Sequence, residues 1–195
     1  MTALPHNFMM SVEEYFQLEA NATETRYEYI DGIVTMLAGG TPDHALIAAN
    51  LTGILYNLLR GSSCRVYSSD IVVSLSEKCY VHPDVTVSCD SRDQGRSDFI
   101  RYPSLVVEVL SPSTESRDRN EKFTSYRDSP TIQEYMMVNT NQKVIELYRR
   151  EKKKLWSYII FQADDEVELT RLGIHFSAAD VYENVIFHTN ENGPA

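Results

Sequence analysis

The feature that most constrains the fold is a short apolar run from Leu105 to Leu110 that contains one acid, Glu108. A run of this length, rich in β-branched residues, is typical of a strand buried in a sheet. An ionised carboxylate in such a strand costs several kcal/mol unless it is paired or coordinates a metal. Glu108 therefore requires either a basic partner in a plain salt bridge or a bound cation.

Other β-rich runs surround this strand. Two of them, Tyr27 to Ile30 and Ile33 to Leu37, flank Asp31-Gly32, a dipeptide that tolerates positive φ and predicts a two-residue hairpin turn. Further strands are predicted at Val66 to Leu75, Val85 to Val87, Leu105 to Leu110, Gln133 to Val138, Lys143 to Arg150, Lys154 to Phe161 and near Val167 to Leu169.

Helices are predicted between the strands. Ser11-Val-Glu-Glu has the form of a capping box and predicts a helix near residues 11–20, and apolar residues at helical spacing predict a longer one from Asp43 to Leu59. A charged surface helix is expected from Ser116 to Arg127, and a short one near residues 177–181. The pattern predicts an α+β fold with a mixed central β-sheet flanked by helices.

The length and composition suit one domain. With 195 residues and 43% hydrophobic side chains, the chain can fill a core without cross-links. We expect a single domain over residues 1–195, with a core from about 10 to 187 and a polar C-terminal tail at 190–195 that frays.

The cysteines and the lack of a long apolar segment predict a cytoplasmic protein. Cys64, Cys79 and Cys89 are odd in number and have no Cys-x-x-Cys spacing, so we expect reduced thiols rather than a disulfide framework or a zinc site. No basic segment followed by an apolar run opens the chain, and no stretch approaches the roughly 20 apolar residues of a membrane span.

The net charge of -10 argues mildly against a nucleic-acid ligand, because affinity for phosphates comes mainly from Lys and Arg. A local basic surface beside a bound cation can still create a favourable field. Arg149, Arg150 and Lys152 to Lys154 form one basic cluster, which either meets phosphates or is a solvated hairpin tip that discourages edge-to-edge pairing.

A second acid stands near the start of a neighbouring strand. Asp84 follows Pro83 and precedes Val85-Thr-Val, so Asp84 and Glu108 on adjacent strands can share one ion. Mg²⁺ prefers hard oxygen ligands and takes one or two carboxylates plus water and substrate phosphate. Without Glu108, the Pro-Asp pair would more simply be a turn.

A lysine follows on the next predicted helix. Lys122 has Arg119 and Tyr126 three and four residues away, on the same helical face, and can reach back toward the sheet. An ammonium there can position an attacking water and offset charge that develops on phosphorus. The alternative is a solvated surface charge.

Several segments of the chain resemble the Uma-two family of restriction endonucleases, over about residues 10 to 187. The segments are Tyr27-Glu-Tyr-Ile-Asp-Gly-Ile, His82-Pro-Asp-Val, Glu108-Val-Leu-Ser-Pro-Ser-Thr, Asp118-Arg-Asn-Glu-Lys-Phe, Tyr126, Gln133-Glu-Tyr and Val144-Ile-Glu-Leu-Tyr-Arg-Arg.

This resemblance implies the PD-(D/E)xK nuclease superfamily and a restriction-endonuclease-like fold. Carried over residue by residue, Asp84 and Glu108 hold a catalytic Mg²⁺ or Mn²⁺, and Lys122 assists the attacking water. The usual lysine position, two residues after the acid, is Leu110 here, so Lys122 is a migrated lysine from the following helix.

Further expectations follow from the resemblance. Glu28 matches a family acid that holds a second metal or orients water, and the alternative is an exposed strand carboxylate. His44 matches a family histidine, and the alternative is a hydrogen-bonding residue at the start of a helix. Tyr126 is a third accessory candidate. The expected function is metal-dependent hydrolysis of DNA by a homodimer, and the alternative is a catalytically inactive binding or assembly module that keeps the fold.

Overall fold

The computed structural model describes residues 7–37 and 39–187. Its strands are β1 (Asn7–Met9), β2 (Tyr27–Ile30), β3 (Ile33–Met36), β4 (Arg65–Ser68), β5 (Val73–Ser76), β6 (Cys79–Val81), β7 (Val85–Ser88), β8 (Leu105–Leu110), β9 (Glu134–Asn139), β10 (Ile145–Lys152), β11 (Leu155–Phe161), β12 (Glu166–Leu169) and β13 (Ile174–Ser177). Its helices are α1 (Val12–Asn21), α2 (Pro42–Leu59), α3 (Glu115–Arg117), α4 (Phe123–Asp128) and α5 (Ala178–Val181), with a 3₁₀ turn at Ser91–Asp93 and a π-helical turn at Asp118–Lys122.

The strands form two larger sheets and a separate hairpin. The first sheet has the order β1-β3-β2-β6-β5, the second has the order β11-β10-β9-β8-β7-β4, and β12 pairs with β13 alone. The α+β class is confirmed. The second sheet is mixed, because β8 runs parallel to β9 and antiparallel to β7.

The predicted hairpin and the predicted helices are confirmed. Asp31 and Gly32 have φ of 48° and 92°, as the tight turn between β2 and β3 requires. Ser11 and Glu14 make both hydrogen bonds of the capping box at α1. The predicted helix from Ser116 to Arg127 is present as α3, the π-helical turn and α4 in succession.

One strand prediction is wrong. The run from Val66 to Leu75 forms two strands in different sheets, β4 paired with β7 and β5 paired with β6. The polar Ser-Ser-Asp at 68–70 breaks the run and lets the chain turn from one sheet to the other. The sequence patterns also gave no prediction of β1, β6 and β13, which are only three or four residues long.

Helical layers cover both faces of the six-stranded sheet. Ile47, Leu51 and Leu55 of α2 are fully buried against one face, together with Val107 and Val109. On the opposite face, Tyr126 of α4 packs with Val106 and Leu110. Glu108 alternates with the residues of the first face, so its side chain points toward the layer that holds Tyr126.

The prediction of three reduced cysteines is wrong for two of them. Cys64 and Cys89 form a disulfide, whereas Cys79 is a buried free thiol. Arg65 pairs with Ser88 in the antiparallel register of β4 and β7, so the two cysteines lie opposite each other one step further along. A separation of 25 residues gave no sign of this pairing.

Two expectations about location and chain ends are not tested. Among the described helices, none has both the length and the apolar character that a bilayer crossing requires. A cytoplasmic location stays a prediction, and the disulfide removes the support that three reduced thiols gave it. The polar tail at 190–195 lies outside the described residues.

Candidate active site

A cleft of about 1230 Å³ contains the predicted site residues Asp84, Glu108, Lys122 and His44. The outer face of α2 forms one side of the cleft. Residues of β3 and of the segment from 111 to 122 complete the lining. The cleft is large enough for several groups of a polymeric substrate rather than one small molecule.

Asp84 and Glu108 lie side by side at the inner end of the cleft. Val85 pairs with Val107 in the antiparallel register of β7 and β8, so Asp84 is opposite Glu108 at the next position. The Val109 N–H donates to Asp84 Oδ2 at 2.7 Å and fixes that carboxylate. The register therefore places the two acids next to each other on adjacent strands, and their sharing of one ion stays a prediction.

Lys122 is buried among acids, and its interpretation as a solvated surface charge is wrong. Its Nζ lies 2.8 Å from Glu108 Oε1, 2.9 Å from Glu28 Oε1 and 3.4 Å from Asp118 Oδ1. Burial alone would lower the pKa of Lys122, but the surrounding carboxylates raise it well above its ordinary value. The surrounding carboxylates therefore favour the charged, ammonium form of Lys122.

The π-helical turn explains how Lys122 reaches this position. The Phe123 N–H donates to the carbonyls of Asn120 and Asp118, which widens the helix by one residue at this point. Asp118 and Lys122 are both buried, whereas Arg119 points elsewhere and donates to Glu115 and Glu146. The prediction that Arg119 shares the inward face of Lys122 is wrong.

Glu28 is fully buried, so the alternative of an exposed strand carboxylate is wrong. Its Oε2 accepts from Arg117 Nη1 at 2.5 Å, and its Oε1 accepts from the His82 backbone N–H at 3.0 Å. Burial would raise the pKa of Glu28, but Lys122, Arg117 and the His82 N–H together hold it below its ordinary value. Glu28 is therefore an ionised partner of Lys122.

Tyr126 supports Glu108. Its hydroxyl donates to Glu108 Oε1 at 2.5 Å, the same oxygen that accepts from Lys122. Burial raises the pKa of Glu108 well above its ordinary value, since Lys122 offsets only part of that effect and the nearby acids add to it. The plain salt bridge expected for Glu108 exists, but it sits within a cluster that carries excess negative charge.

His44 lies beside Asp84 at the start of α2. His44 Nε2 is 3.3 Å from Asp84 Oδ2, and the hydrogen bond that the imidazole donates to Asp84 raises the pKa of His44 although burial opposes it. The backbone N–H of His44 also donates to Thr41 Oγ1 at 3.2 Å, the cap of α2. The helix-start hydrogen bond of His44 is therefore present, and a functional role for its imidazole stays a prediction.

Sequence reasoning missed Arg117 and Asp118. Asp118 is spaced four residues before Lys122, a separation that brings side chains together on a helix and could have indicated it. The partnership of Arg117 with Glu28 spans 89 residues and leaves no local signal.

The residues of the basic cluster near the end of β10 lie in different environments. Arg149 donates to Glu134 at 2.9 Å, and Arg150 is buried and donates to the carbonyls of Ile132, Ser129 and Arg127. Lys152 to Lys154 remain exposed at the hairpin tip. The Arg150 guanidinium is therefore occupied within the protein, whereas Lys152 to Lys154 are open to solvent, and which of the two roles these lysines have is not decided by their exposure.

The donor set fits a hard divalent cation. Glu28, Glu108 and Asp118 surround the ammonium of Lys122, and Asp84 lies next to Glu108 on the neighbouring strand. Within the described residues, no group of three or more His, Cys, Asp or Glu side chains is placed so that it could hold a metal ion. Two carboxylates with open positions for water and phosphate suit Mg²⁺ better than a closed cage would.

An α+β domain with paired acids, a buried lysine and a long cleft belongs to the restriction-endonuclease-like class of folds. The chain is a member of the Uma2 family, described as "Putative restriction endonuclease", whose profile matches residues 12–179.

Two curated relatives and one solved structure are similar to this chain. "Uncharacterized protein slr1290" of Synechocystis sp. (strain ATCC 27184 / PCC 6803 / Kazusa) is 38% identical over 179 residues, which are 91% of this chain and 94% of the relative. "Uncharacterized protein sll1609" of the same organism is 30% identical over 151 residues, 76% of this chain and 85% of the relative. A solved structure titled "a putative nuclease belonging to DUF820", from Anabaena variabilis, superposes with a TM-score of 0.76 at 16% identity, covering 91% of this chain and 99% of that one.

Proposed function

We propose that this protein is a divalent-metal-dependent endonuclease that hydrolyses phosphodiester bonds of DNA. The observation that carries the proposal is the position of Lys122, an ammonium buried between Glu108 and Glu28 at the inner end of the cleft that also contains Asp84. Burying this many charged groups carries a large desolvation penalty, and such clusters are typical of functional sites. Membership in a family described as nucleases supports the same conclusion.

Asp84 and Glu108 are the residues that would hold Mg²⁺ or Mn²⁺. When bound, the cation would polarise a phosphate oxygen and lower the pKa of a coordinated water. The Val109 N–H and His44 hold Asp84 in place, and Tyr126 holds Glu108, so neither carboxylate needs to reorganise to accept an ion.

Lys122 would orient the attacking water or a phosphate oxygen. Its contact with Asp118 is the longest of its three, at 3.4 Å, so the proton on that side is the one most readily redirected to a group in the cleft. Glu28 keeps the ammonium anchored, because Arg117 and the His82 N–H fix the carboxylate from its other side. Attack by water breaks the bond from phosphorus to the leaving-group oxygen, which then takes up a proton.

The experiment is cleavage of plasmid DNA in Mg²⁺ or Mn²⁺, with calorimetric titration of the same metals. Wild type should nick DNA and bind metal, whereas Asp84→Asn and Glu108→Gln should lose both by at least about a hundredfold, the loss expected when a catalytic metal is not held. Glu77→Gln, at an exposed acid outside the cleft lining, is the matched control and should behave as wild type. Equal cleavage by wild type and Asp84→Asn would refute the proposal.

A catalytically inactive binding or assembly module is the second candidate. The net charge of -10 favours it, because non-specific DNA affinity comes mainly from Lys and Arg that meet phosphates. In that case wild type would bind no metal and cut no DNA, while Lys122 would still be required for stability.

A further inference from the structure

One edge of the six-stranded sheet is open. β11 is the outermost strand of this sheet and pairs only with β10 among the described strands. Its side chains at Leu155, Tyr158 and Ile160 are 55%, 49% and 49% exposed. A flat, apolar edge of this length is the kind of surface that pairs with another strand.

The hydrogen-bond pattern shows which groups of β11 face outward. The Arg150 N–H donates to the Gln133 carbonyl, and the Asn139 N–H donates to the Val144 carbonyl. The backbone N–H and C=O groups of the even-numbered residues of β10 therefore point toward β9. The backbone groups of the odd-numbered residues of β10 therefore point toward β11, where the residues opposite them are also odd-numbered. The N–H and C=O groups of Trp156, Tyr158 and Ile160 are left for a partner outside the sheet.

The two ends of β11 carry opposite charges. Lys152, Lys153 and Lys154 are exposed before the strand, and Asp164, Asp165 and Glu166 are exposed after it. Glu151 lies beside the lysines, where it accepts from Ser157 Oγ, and leaves that end with a net positive charge. If both ends of β11 carried lysines, a second copy would be repelled in either orientation. Because the two ends carry opposite charges, only a parallel copy is repelled.

We propose that two copies of this chain pair through antiparallel β11 strands around a two-fold axis at Ile159. In this register Tyr158 lies opposite Ile160 of the partner subunit, and the outward backbone groups of both residues meet. Lys154, Lys153 and Lys152 then lie nearest to Asp164, Asp165 and Glu166 of the partner subunit, in that order. A two-fold pairing repeats each contact and closes the assembly at two copies.

The strand that pairs with β11 is expected to come from a second copy of the chain, because the open edge of β11 is complementary to itself. The exposed Tyr158 and Ile160 are cross-strand neighbours of each other in this register, which forms an apolar centre flanked by ion pairs on both sides. The pairing joins the two six-stranded sheets into one continuous sheet. It uses none of the residues that line the cleft.

The test is sedimentation velocity of a charge-exchange set. Wild type should be a dimer. Lys153→Glu/Lys154→Glu and Asp164→Lys/Asp165→Lys should each weaken it by about tenfold to a hundredfold, because two of the three contacts at each end become repulsive. A mixture of the two variants should restore a dimer of one chain of each kind. Arg60→Glu/Lys78→Glu makes the same charge change at exposed residues far from β11 and should leave the dimer intact.

A second variant tests the strand pairing itself. Ile160→Pro removes an outward N–H, which an edge strand tolerates, so it should give a folded monomer, whereas Ile160→Thr should remain dimeric. A monomeric wild type, or a dimer that persists in both charge variants and in Ile160→Pro, would overturn the proposal. Plasmid cleavage is scored separately, so failure of the dimer is distinguishable from failure of the nuclease function.

Discussion

Lys122 Nζ lies 2.8 Å from Glu108 Oε1, although the two residues come from a helix and a strand that are 14 positions apart. This contact joins the layer that holds α4 to the centre of the sheet. Because both side chains are almost completely buried, each is the principal charge compensation of the other. The pair therefore serves stability and the proposed chemistry at once.

Removal of the lysine should be costly. Lys122→Met should lower the free energy of unfolding by about 3–5 kcal/mol at neutral pH, since it leaves Glu28, Glu108 and Asp118 without their shared cation. The cost should shrink as the pH falls, because the stranded carboxyls then become neutral by taking up protons. Urea denaturation at several pH values measures both effects.

Lys78→Met provides the control for that measurement, because Lys78 is exposed in the turn between β5 and β6. It should change stability by less than about 0.5 kcal/mol. Equal stability of Lys122→Met and Lys78→Met would show that the buried cluster does not need the ammonium.

Tyr126→Phe should cost about 1–3 kcal/mol, because it takes away one of the two donors to the buried Glu108 Oε1. Tyr15→Phe is the matched control. Its hydroxyl is equally buried and donates to the neutral Tyr27 carbonyl at 3.1 Å, so the loss should be nearer 1 kcal/mol. A larger loss in Tyr15→Phe than in Tyr126→Phe, measured by chemical denaturation, would contradict this account of Glu108.

The centre of the site could be predicted from the sequence because local patterns define it. The acid inside Leu105–Leu110 and the acid before Val85 each mark a strand, and adjacent strands bring such residues together. The spacing from Glu108 to Lys122 also matched a known family. These signals depend only on local sequence patterns that mark a strand and a helix, and on the order of the two in the chain.

The rest of the site depends on contacts between distant segments. Arg117 reaches Glu28 across 89 residues, and only the assembled sheets and helices bring them together. The inward turn of Lys122 needs the π-helical geometry of 118–122, which side-chain periodicity does not reveal. The break between β4 and β5 was missed because Val66 to Leu75 is apolar enough on both sides of its turn to resemble one strand.

Glu146 should make stability depend on pH below neutrality. Arg119 holds it through two hydrogen bonds of 2.5 and 2.8 Å, and this contact, together with Tyr158, lowers the pKa of Glu146 in spite of its burial. A lowered folded-state pKa stabilises the protein above the unfolded value of 4.5, and the contribution disappears as the pH falls through the folded value.

Glu146→Gln should therefore cost about 1 kcal/mol at pH 7, and the difference from wild type should vanish in acid. Glu77→Gln, at an exposed acid in the turn between β5 and β6, should differ little from wild type at any pH. A difference between wild type and Glu146→Gln that stays constant down to acid pH would rule out the ion pair as its source.

The disulfide between Cys64 and Cys89 gives the last prediction. It closes a loop of about 25 residues between β4 and β7, so the double variant Cys64→Ser/Cys89→Ser should lose about 3 kcal/mol of stability. Under non-reducing conditions the denatured wild type should show one free thiol, that of Cys79, and after reduction it should show three. Reductant should destabilise wild type and leave the double variant unchanged. Three free thiols in the protein purified without reductant would instead support the chain's expected reduced state, and the two cysteines would then contribute only their packing against the α2 face of the sheet.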